Sequence, residues 1–453
     1  MNTNEKNMTS GMPGKLIFLF AIPLMLGSIF QQLYTMVDTM VVGQVVGVSA
    51  LAALGAAEWL VWLVNGIITG MTQGFSILIS QIYGAQRIGD LKKTIALSYI
   101  LTAIIAIIVL IISQISAYPI LLFLNTPAEI LPLSVKYIRI LFLGIPIIAA
   151  YNIFAAVLRA LGNSKAPLAA MVVAAVINIV LDILFVAGFG WGVAGAAAAT
   201  VIAQGFSAFY CLLALGKIEI IRLEKSHMYI DKILSGKMIR LGMPLSFQNI
   251  IIAVGGLVVQ YVVNGFGVLF VAGFTATNKL YGILEFAAIS YGYAVTTYVG
   301  QNLGAGKYNR IKKGVHQGAW MAILTSAVIS VVMILFGEKI LLLFISGTAE
   351  EVQLVLEIAY RYLVVMSCML WVLYLLYVYR SALQGLGNTV IPMASGIIEF
   401  FMRIGAALLL PMLIGSDGIF YAEVSAWFGA AALLMISYYI YIRKYRKVET
   451  SLS

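Results

Sequence analysis

Charged residues are scarce in this chain of 453 residues: they make up 10% of it, whereas hydrophobic residues make up 62%. Soluble domains have roughly 25% charged and 45–50% apolar residues, so the composition excludes an ordinary soluble protein. There are only two cysteines, Cys211 and Cys368, and two histidines. Two distant cysteines form neither a disulfide framework nor a zinc motif. We therefore expect no metal centre and no cofactor.

Long apolar runs dominate the chain instead. About 20 apolar residues span the hydrocarbon core of a bilayer as a helix. The sequence therefore predicts an all-α polytopic membrane protein with twelve transmembrane helices. The predicted spans are 15–43, 52–80, 94–117, 131–157, 166–188, 193–215, 241–264, 272–300, 315–336, 358–380, 391–414 and 418–441.

The connections between these spans carry an uneven charge. Most of the 28 Lys and Arg residues, Arg380 among them, fall on the side of the membrane that holds the N-terminus. Basic connections stay in the cytoplasm, which predicts a cytoplasmic membrane protein with both termini inside the cell. The net charge of +10 is then a consequence of topology, and we expect no nucleic-acid partner.

The chain contains an internal repeat with an offset of about 220 residues. Six spans per repeat insert both copies in the same orientation, so we expect two lobes about a pseudo-two-fold axis along the membrane normal. The predicted lobes are residues 1–225, which would hold a cation site, and 226–453. The matching segments are 81–93 and 301–313, 158–167 and 383–392, and the Pro-Leu pairs at Pro23 and Pro244.

Intramembrane polar residues cluster at one depth in the first lobe. Asp182 is the only charged residue between 166 and 188, and Asn178 lies on the same helical face. A carboxylate costs roughly 2.5–3.5 kcal/mol at the centre of an inserted helix, so it should face protein or water. At 1.5 Å per residue, Asp38, Asp182 and Thr200 lie about 8–10 Å below the same surface. This constellation predicts a cation or proton site.

The identity of the ion stays open between H⁺ and Na⁺. Two carboxylates in a low-dielectric environment favour a proton on one of them. Na⁺ would use Asp38, Asn178, Asp182 and Thr200 together with backbone carbonyls or water. The structural alternative is a buried Asp–Asn hydrogen bond that joins helices.

Other polar residues are candidates for a substrate cavity. Gln31, Tyr34 and Asp38 share one face of the first span, above Pro23. A proline inside a helix frees a carbonyl and permits a bend, which would couple the acid to helix movement. Asn152 and Glu285 could line the same cavity. The alternative for this face is a polar packing seam.

The second repeat lacks the acidic residues of the first. At the positions that match Asp38, Asn178 and Asp182 it has Gln260, Arg403 and Ala407, so we expect the cation site in the first lobe alone. Glu399 and Arg403, four residues apart on one helix, are predicted to neutralise each other.

The chain resembles the multidrug and toxic compound extrusion (MATE) transporters over nearly its whole length. The resemblance implies twelve spans in two lobes and export of organic cations or similar amphiphiles in exchange for Na⁺ or H⁺. Asp38, Asn178, Asp182 and Thr200 match the cation site of the DinF-like branch, whereas the seventh span lacks the acid that other branches use. The resemblance is carried by Ile22-Pro23, Tyr34 to Asp38, Val42-Gly43, Gly84-Ala85, Leu161-Gly162-Asn163 and Asn178 to Asp182.

Two other functions are alternatives to a monomeric antiporter. A flippase for lipid-linked precursors should carry several basic residues in its cavity, and only Arg403 lies deep in a predicted span. An intramembrane enzyme is disfavoured because both histidines, His227 and His316, lie in or beside loops. The HExxH, GxSxG and nucleotide-binding motifs are also missing.

Overall fold

The computed structural model describes residues 7–124, 126–345 and 348–452, and no strand occurs within these ranges. Each of the twelve predicted spans coincides with helical structure, which confirms the all-α membrane fold. The span 131–157 covers the adjoining pair α4 and α5, 166–188 ends in a π-helical turn, and 418–441 begins in a 3-10 turn. The helices of the described ranges are α1 (Pro13–Val45), α2 (Val48–Gly84), α3 (Ile88–Phe123), α4 (Leu131–Leu143), α5 (Ile145–Ala160), α6 (Lys165–Asp182), α7 (Val193–Gly216), α8 (Lys232–Asn264), α9 (Val268–Gly304), α10 (Tyr308–Leu341), α11 (Ala349–Gly385), α12 (Val390–Ile414) and α13 (Tyr421–Leu452).

Most of these helices have the length and hydropathy of a membrane span. Among the described residues, ten helices meet both conditions, and the bent pair α4 and α5 is an eleventh candidate. The remaining predicted span, 272–300, lies within α9, which has 37 residues. The pair α4 and α5 meets at 47°. Pro146 begins α5 without a backbone donor, and a side chain at Gly144 would overlap Val201, so the break has a local cause.

The repeated Leu-Gly-Asn segments form the same turn in both halves. Gly162 and Gly387 follow α5 and α11 with φ of 88° and 83°, a conformation that only glycine adopts without strain. The next residue then accepts a hydrogen bond from the start of the following helix: Asn163 Oδ1 from Ala166 N at 3.0 Å, and Asn388 Oδ1 from Ile391 N at 3.1 Å. The repeat in the sequence is therefore a repeated helix–turn–helix.

The chain packs into two compact units. The first contains Ile22–Asn249, and the second contains Met8–Ala21 together with Ile250–Ser453. Two helices are thus shared: the start of α1 belongs to the second unit, and the start of α8 belongs to the first. The division within α1 falls just before Pro23. The sequence-based division lay between residues 225 and 226 and contained no such exchange.

Close backbone contacts hold the start of α8 in the first unit. A side chain on Gly70 or Gly74 of α2 would overlap the backbone of α8, so the two helices touch through their glycines. Ser246 Oγ also donates to the carbonyl of Ile67 at 2.9 Å, and Asn249 Nδ2 donates to that of Gly66 at 2.9 Å. Small residues and interhelical hydrogen bonds thus join α2 to α8.

Candidate functional site

The four residues predicted to bind a cation lie on three helices of the first unit. Asp38 is on α1, Asn178 and Asp182 are on α6, and Thr200 is on α7. The two α6 residues are fully buried, Asp38 is 6% exposed, and Thr200 is half-buried. Contacts among the three helices about one helical turn before and one turn after these residues show which parts of the helices lie at the same level.

On one side, the three helices meet at Tyr34. Gln204 Nε2 on α7 donates a hydrogen bond to the Tyr34 hydroxyl at 3.3 Å. Tyr34 also forms a small buried cluster with Met171 and Ala175 of α6. Tyr34, Ala175 and Gln204 therefore mark one level of the three-helix interface.

On the other side, the same helices meet in an apolar cluster. Val42 of α1, Val186 just beyond α6 and Ala196 of α7 are buried in it together. Asp38 lies four residues from both Tyr34 and Val42, and Thr200 lies four residues from both Ala196 and Gln204. Because four residues make about one helical turn, Asp38 and Thr200 occupy the level between the two contacts.

The α6 residues fall in the same layer. Asn178 and Asp182 lie between Ala175 and Val186 on the same helical face. The charges of Asp38 and Asp182 interact electrostatically. The helices therefore bring the predicted residues into one layer of the first unit.

Several polar atoms of this layer have no hydrogen-bond partner among the described residues. They are Asp38 Oδ1, both carboxylate oxygens of Asp182, and both polar atoms of the Asn178 amide. The Asp–Asn hydrogen bond that was the structural alternative is therefore not formed. Buried polar atoms are nearly always paired, and an unpaired carboxylate is costly to bury. Such a donor set has the chemistry to hold a proton or a small hard cation.

The helix changes its geometry directly after Asp182. Residues Ile183–Gly188 continue α6 as a π-helical turn. Phe189 N then bonds to the carbonyl of Leu184 at 2.8 Å. Single π-turns within α-helices are uncommon and often occur at functional sites. Asp182 is thus the last residue before a local change of helical register.

Two residues of this site were missed in the sequence. Gln204 follows Thr200 by one turn of α7, a spacing that could have identified it. Tyr137 on α4 interacts electrostatically with Asp38, Asp182 and Glu58 and packs on the apolar cluster near Val42. No sequence signal links Tyr137 to the other residues, because α4 reaches them only through the tertiary fold.

The predicted cavity residues of the first unit border this layer. Gln31 lies within hydrogen-bonding reach of the Tyr34 hydroxyl. Asn152 on α5 donates to the carbonyl of Ile148 in its own helix at 2.9 Å, and its neighbour Tyr151 packs against the Tyr34 cluster. Pro23 lies within α1, which is helical on both sides of it, so the predicted bend stays a prediction.

Glu285 belongs to the second unit and has different surroundings. It lies on α9 and accepts a hydrogen bond from the Tyr377 hydroxyl at 2.8 Å. It lies near Arg403, Glu399 and Glu423 but forms an ion pair with none of the described residues. Glu285 is thus a buried acid of the second unit that is held by a tyrosine hydroxyl.

The predicted pairing of Glu399 with Arg403 is wrong. Glu399 forms a buried ion pair with Arg380 of α11, and Arg403 forms one with Glu423 of α13 at 2.7 Å. Neighbouring helices thus supply closer partners than the next turn of α12. Arg380 is the last residue of the predicted span 358–380 and was counted with the cytoplasmic basic residues, but α11 continues to Gly385 and buries it.

The second unit differs from the first at the matching positions. Gln260 Nε2 donates to Asn264 Oδ1 at 2.8 Å, Arg403 is ion-paired, and Ala407 is buried and apolar. Ser425, which matches Thr200, is half-buried. Within the described ranges, no group of three or more His, Cys, Asp or Glu residues could hold a metal ion.

Comparisons with known proteins agree with this architecture. The sequence model of the MatE family matches residues 23–184 and 244–409, one segment in each half of the chain. The chain is 30% identical over 418 residues to the probable multidrug resistance protein YoeA of Bacillus subtilis (strain 168), covering 90% of this chain and 85% of the relative. It is 32% identical over 340 residues to the probable multidrug resistance protein YpnP of the same organism, covering 75% and 76%.

Among solved structures, a MOP superfamily transporter from Pyrococcus furiosus superposes with a TM-score of 0.92. The alignment covers 98% of this chain and 99% of that one at 21% sequence identity, which supports the fold alone. The family model and the identity to YoeA show, in addition to the fold, the family to which the chain belongs. The chain is a multi-pass membrane protein and belongs to the MatE family of transporters.

Proposed function

We propose that this protein is a cation-coupled antiporter that exports amphiphilic organic cations by alternating access, with H⁺ as the coupling ion. One observation carries the proposal: Asp38, Asn178 and Asp182 are buried in one layer of the first unit with unpaired polar atoms. Ionisable groups inside a membrane protein typically mark an ion pathway.

The chemistry of the layer favours a proton. Asp38 and Asp182 repel each other when both are ionised, and a proton on either one removes that repulsion and part of the desolvation cost. A sodium ion would need several oxygen ligands at once, for which Asn178 and Thr200 are available. A proton needs one carboxylate only, so proton binding does not require further oxygen ligands from the surrounding residues.

The substrate would compete with this proton. Gln31, Tyr34 and Asn152 border the acidic layer and would contact a bound organic cation in the first unit. Relatives named as probable multidrug resistance proteins support drug export. The basic connections further favour the cytoplasmic membrane, with both termini inside the cell, and we expect a monomer.

A lipid-precursor flippase is less compatible with the charges of the second unit. Such a substrate carries phosphates, which need cationic side chains that are free to bind them. Arg380 and Arg403 are both buried, and each is already paired with a glutamate. An organic cation fits the acidic layer of the first unit better.

Proton release on substrate binding tests the proposal. Ethidium, a permanently charged cation, is titrated into the purified protein in a weakly buffered solution. We expect saturable binding with release of protons, binding without release in Asp38→Asn, and normal release in the matched control Gln260→Ala. Binding without release in the unaltered protein would contradict proton coupling. If Na⁺ displaced ethidium at constant pH instead, the coupling ion would be Na⁺.

A further inference from the structure

The segment that precedes α1 is bound tightly by side chains of the second unit. Met8 is fully buried, and its backbone N donates to Gln301 Oε1 at 3.0 Å. Asn302 Nδ2 donates to the carbonyl of Met8 at 3.0 Å, and Lys307 Nζ donates to that of Thr9 at 2.9 Å. These contacts tie the backbone of Met8 and Thr9 to the second unit.

The residues that bind the segment are themselves held in place. Gln301 and Asn302 are fully buried at the end of α9. Arg310 Nε donates to Asn302 Oδ1 at 3.1 Å, while Asn302 Nδ2 also donates to the carbonyl of Tyr298 at 2.8 Å. Near the start of α1, Gly14 N donates to Gln317 Oε1 of α10 at 2.8 Å. The segment Met8–Gly14, which includes the first two residues of α1 and is called the strap below, is thus fixed to α9 and α10.

The first unit has a related contact at the matching place. Gln301 to Lys313 is the second copy of the repeated segment 81–93, and the strap corresponds by the same offset to residues 228–234, around the start of α8. There, Lys93 lies over the ring of Tyr229, with 6.0 Å from Nζ to the ring centroid. Lys93 matches Lys313 and not the residues that bind the strap, so the place of the contact is repeated but its partners are particular to the second unit.

The strap has a mechanical consequence because α1 is continuous from Pro13 to Val45. Its start is held in the second unit, whereas the part from Ile22 onward, with Asp38, packs in the first. Building on the proposed function, we infer that Gln301, Asn302, Lys307 and Arg310 are positioning residues for coupling. They fix the start of α1 in the second unit, so that ion binding at Asp38 acts on that unit through the helix.

A charge-matched pair of double variants tests this role. Lys307→Ala with Arg310→Ala removes two donors to the strap, because Lys307 donates to the carbonyl of Thr9 and an Arg310 guanidinium nitrogen donates to that of Met8 at 3.4 Å. Lys312→Ala with Lys313→Ala removes the same charge from exposed positions of the same helix. We expect proton release on ethidium binding to stay normal in both, because the acidic layer is untouched. Gradient-driven transport should fall about tenfold in the first variant only, since two charge-assisted hydrogen bonds are lost.

Two results would overturn the inference. One is equal gradient-driven transport in the two double variants. The other is a parallel loss of proton release and transport in the first variant, which would indicate a general structural defect and no coupling role. If the unaltered protein neither releases protons nor responds to a gradient, the proposed function itself fails, which is a different outcome.

A truncation supplies a second test should the first double variant fold poorly. Deleting residues 2–9 removes Met8 and Thr9, whereas deleting residues 2–6 leaves both in place. We expect only the longer deletion to lose gradient-driven transport while it retains ethidium binding. Equal transport by the two deletions would contradict a coupling role for the strap.

Discussion

The two units bury acidic residues in opposite ways. In the first unit, Asp38 and Asp182 are buried with unpaired oxygens and no basic residue is ion-paired to them in the described part of the chain. In the second, Glu399 and Glu423 each form an ion pair with an arginine. One repeated fold therefore contains a layer of unpaired acids in the first unit and two buried glutamates with compensated charges in the second, where Glu285 is hydrogen-bonded to the Tyr377 hydroxyl.

This difference gives the buried acids of the two units different roles: those of the first can act as a switch, and the ion-paired ones of the second stabilise the structure. A buried acid without a partner changes its interactions when a proton or cation binds, so it can drive a change in packing. A buried ion pair is costly to break, because removing one partner leaves the other charge uncompensated. We therefore expect changes in the first unit to affect coupling and changes in the second to affect stability.

The largest effect is expected from the acids of the first unit. Exchange of one proton for one monovalent organic cation is electroneutral, so one pH unit supports about a tenfold gradient of substrate. Asp38→Asn and Asp182→Asn should each abolish this accumulation while the protein still reaches the membrane, because the side-chain shape is retained. Efflux equal to that of the unaltered protein, at equal expression, would remove the first unit from the coupling mechanism.

A change in the second unit should affect stability instead. Glu399→Gln leaves Arg380 buried without a counter-charge and should lower the free energy of unfolding by about 3–5 kcal/mol. Thermal unfolding in detergent measures the effect, with Glu350→Gln, an exposed acid at the start of α11, as the control. The folded fraction should keep its proton coupling. Unchanged stability would mean that the ion pair is not structural.

A smaller effect is expected at Thr200. Its hydroxyl lies in the acidic layer but carries no charge, so Thr200→Ala should remove one polar neighbour of the two carboxylates and reduce transport about fivefold. Thr200→Ser keeps the hydroxyl and should transport normally. The ratio of their initial rates is the relevant measurement, and equal rates would exclude the hydroxyl from the site.

The smallest effect is expected at Gln260, which matches Asp38 in the second repeat. Its side chain bonds to Asn264 on its own helix, so Gln260→Ala should change transport by less than about twofold. Efflux by Gln260→Ala and Asp38→Ala is compared at equal expression. Similar losses in both would show that the two units share the coupling.

The sequence was sufficient to predict the spans and the acidic layer for simple physical reasons. Apolar length defines a membrane helix, and constant rise per residue converts distance from its end into depth, which placed Asp38, Asp182 and Thr200 together. Residues spaced by one turn, such as Asn178 and Asp182, share a face without any tertiary information.

Features that depend on packing between distant helices could not be read from the sequence. Glu399 has a basic residue one turn away, yet its partner is Arg380 on another helix. Tyr137 reaches the acidic layer only because α4 packs there. The exchange of the starts of α1 and α8 between the units likewise depends on contacts with α2, α9 and α10.

Transport into proteoliposomes tests the central claim most directly. The vesicles contain no Na⁺, have an acidic lumen, and have their membrane potential clamped at zero. Uptake of ethidium is followed by fluorescence. Ethidium is permanently charged, so protonation in the lumen cannot trap it. Molecules whose outer face points into the lumen should accumulate ethidium about tenfold per pH unit, and Asp38→Asn should accumulate none. Uptake by Asp38→Asn equal to that of the unaltered protein, or uptake that needs luminal Na⁺ at matched pH, would contradict proton coupling through the first unit.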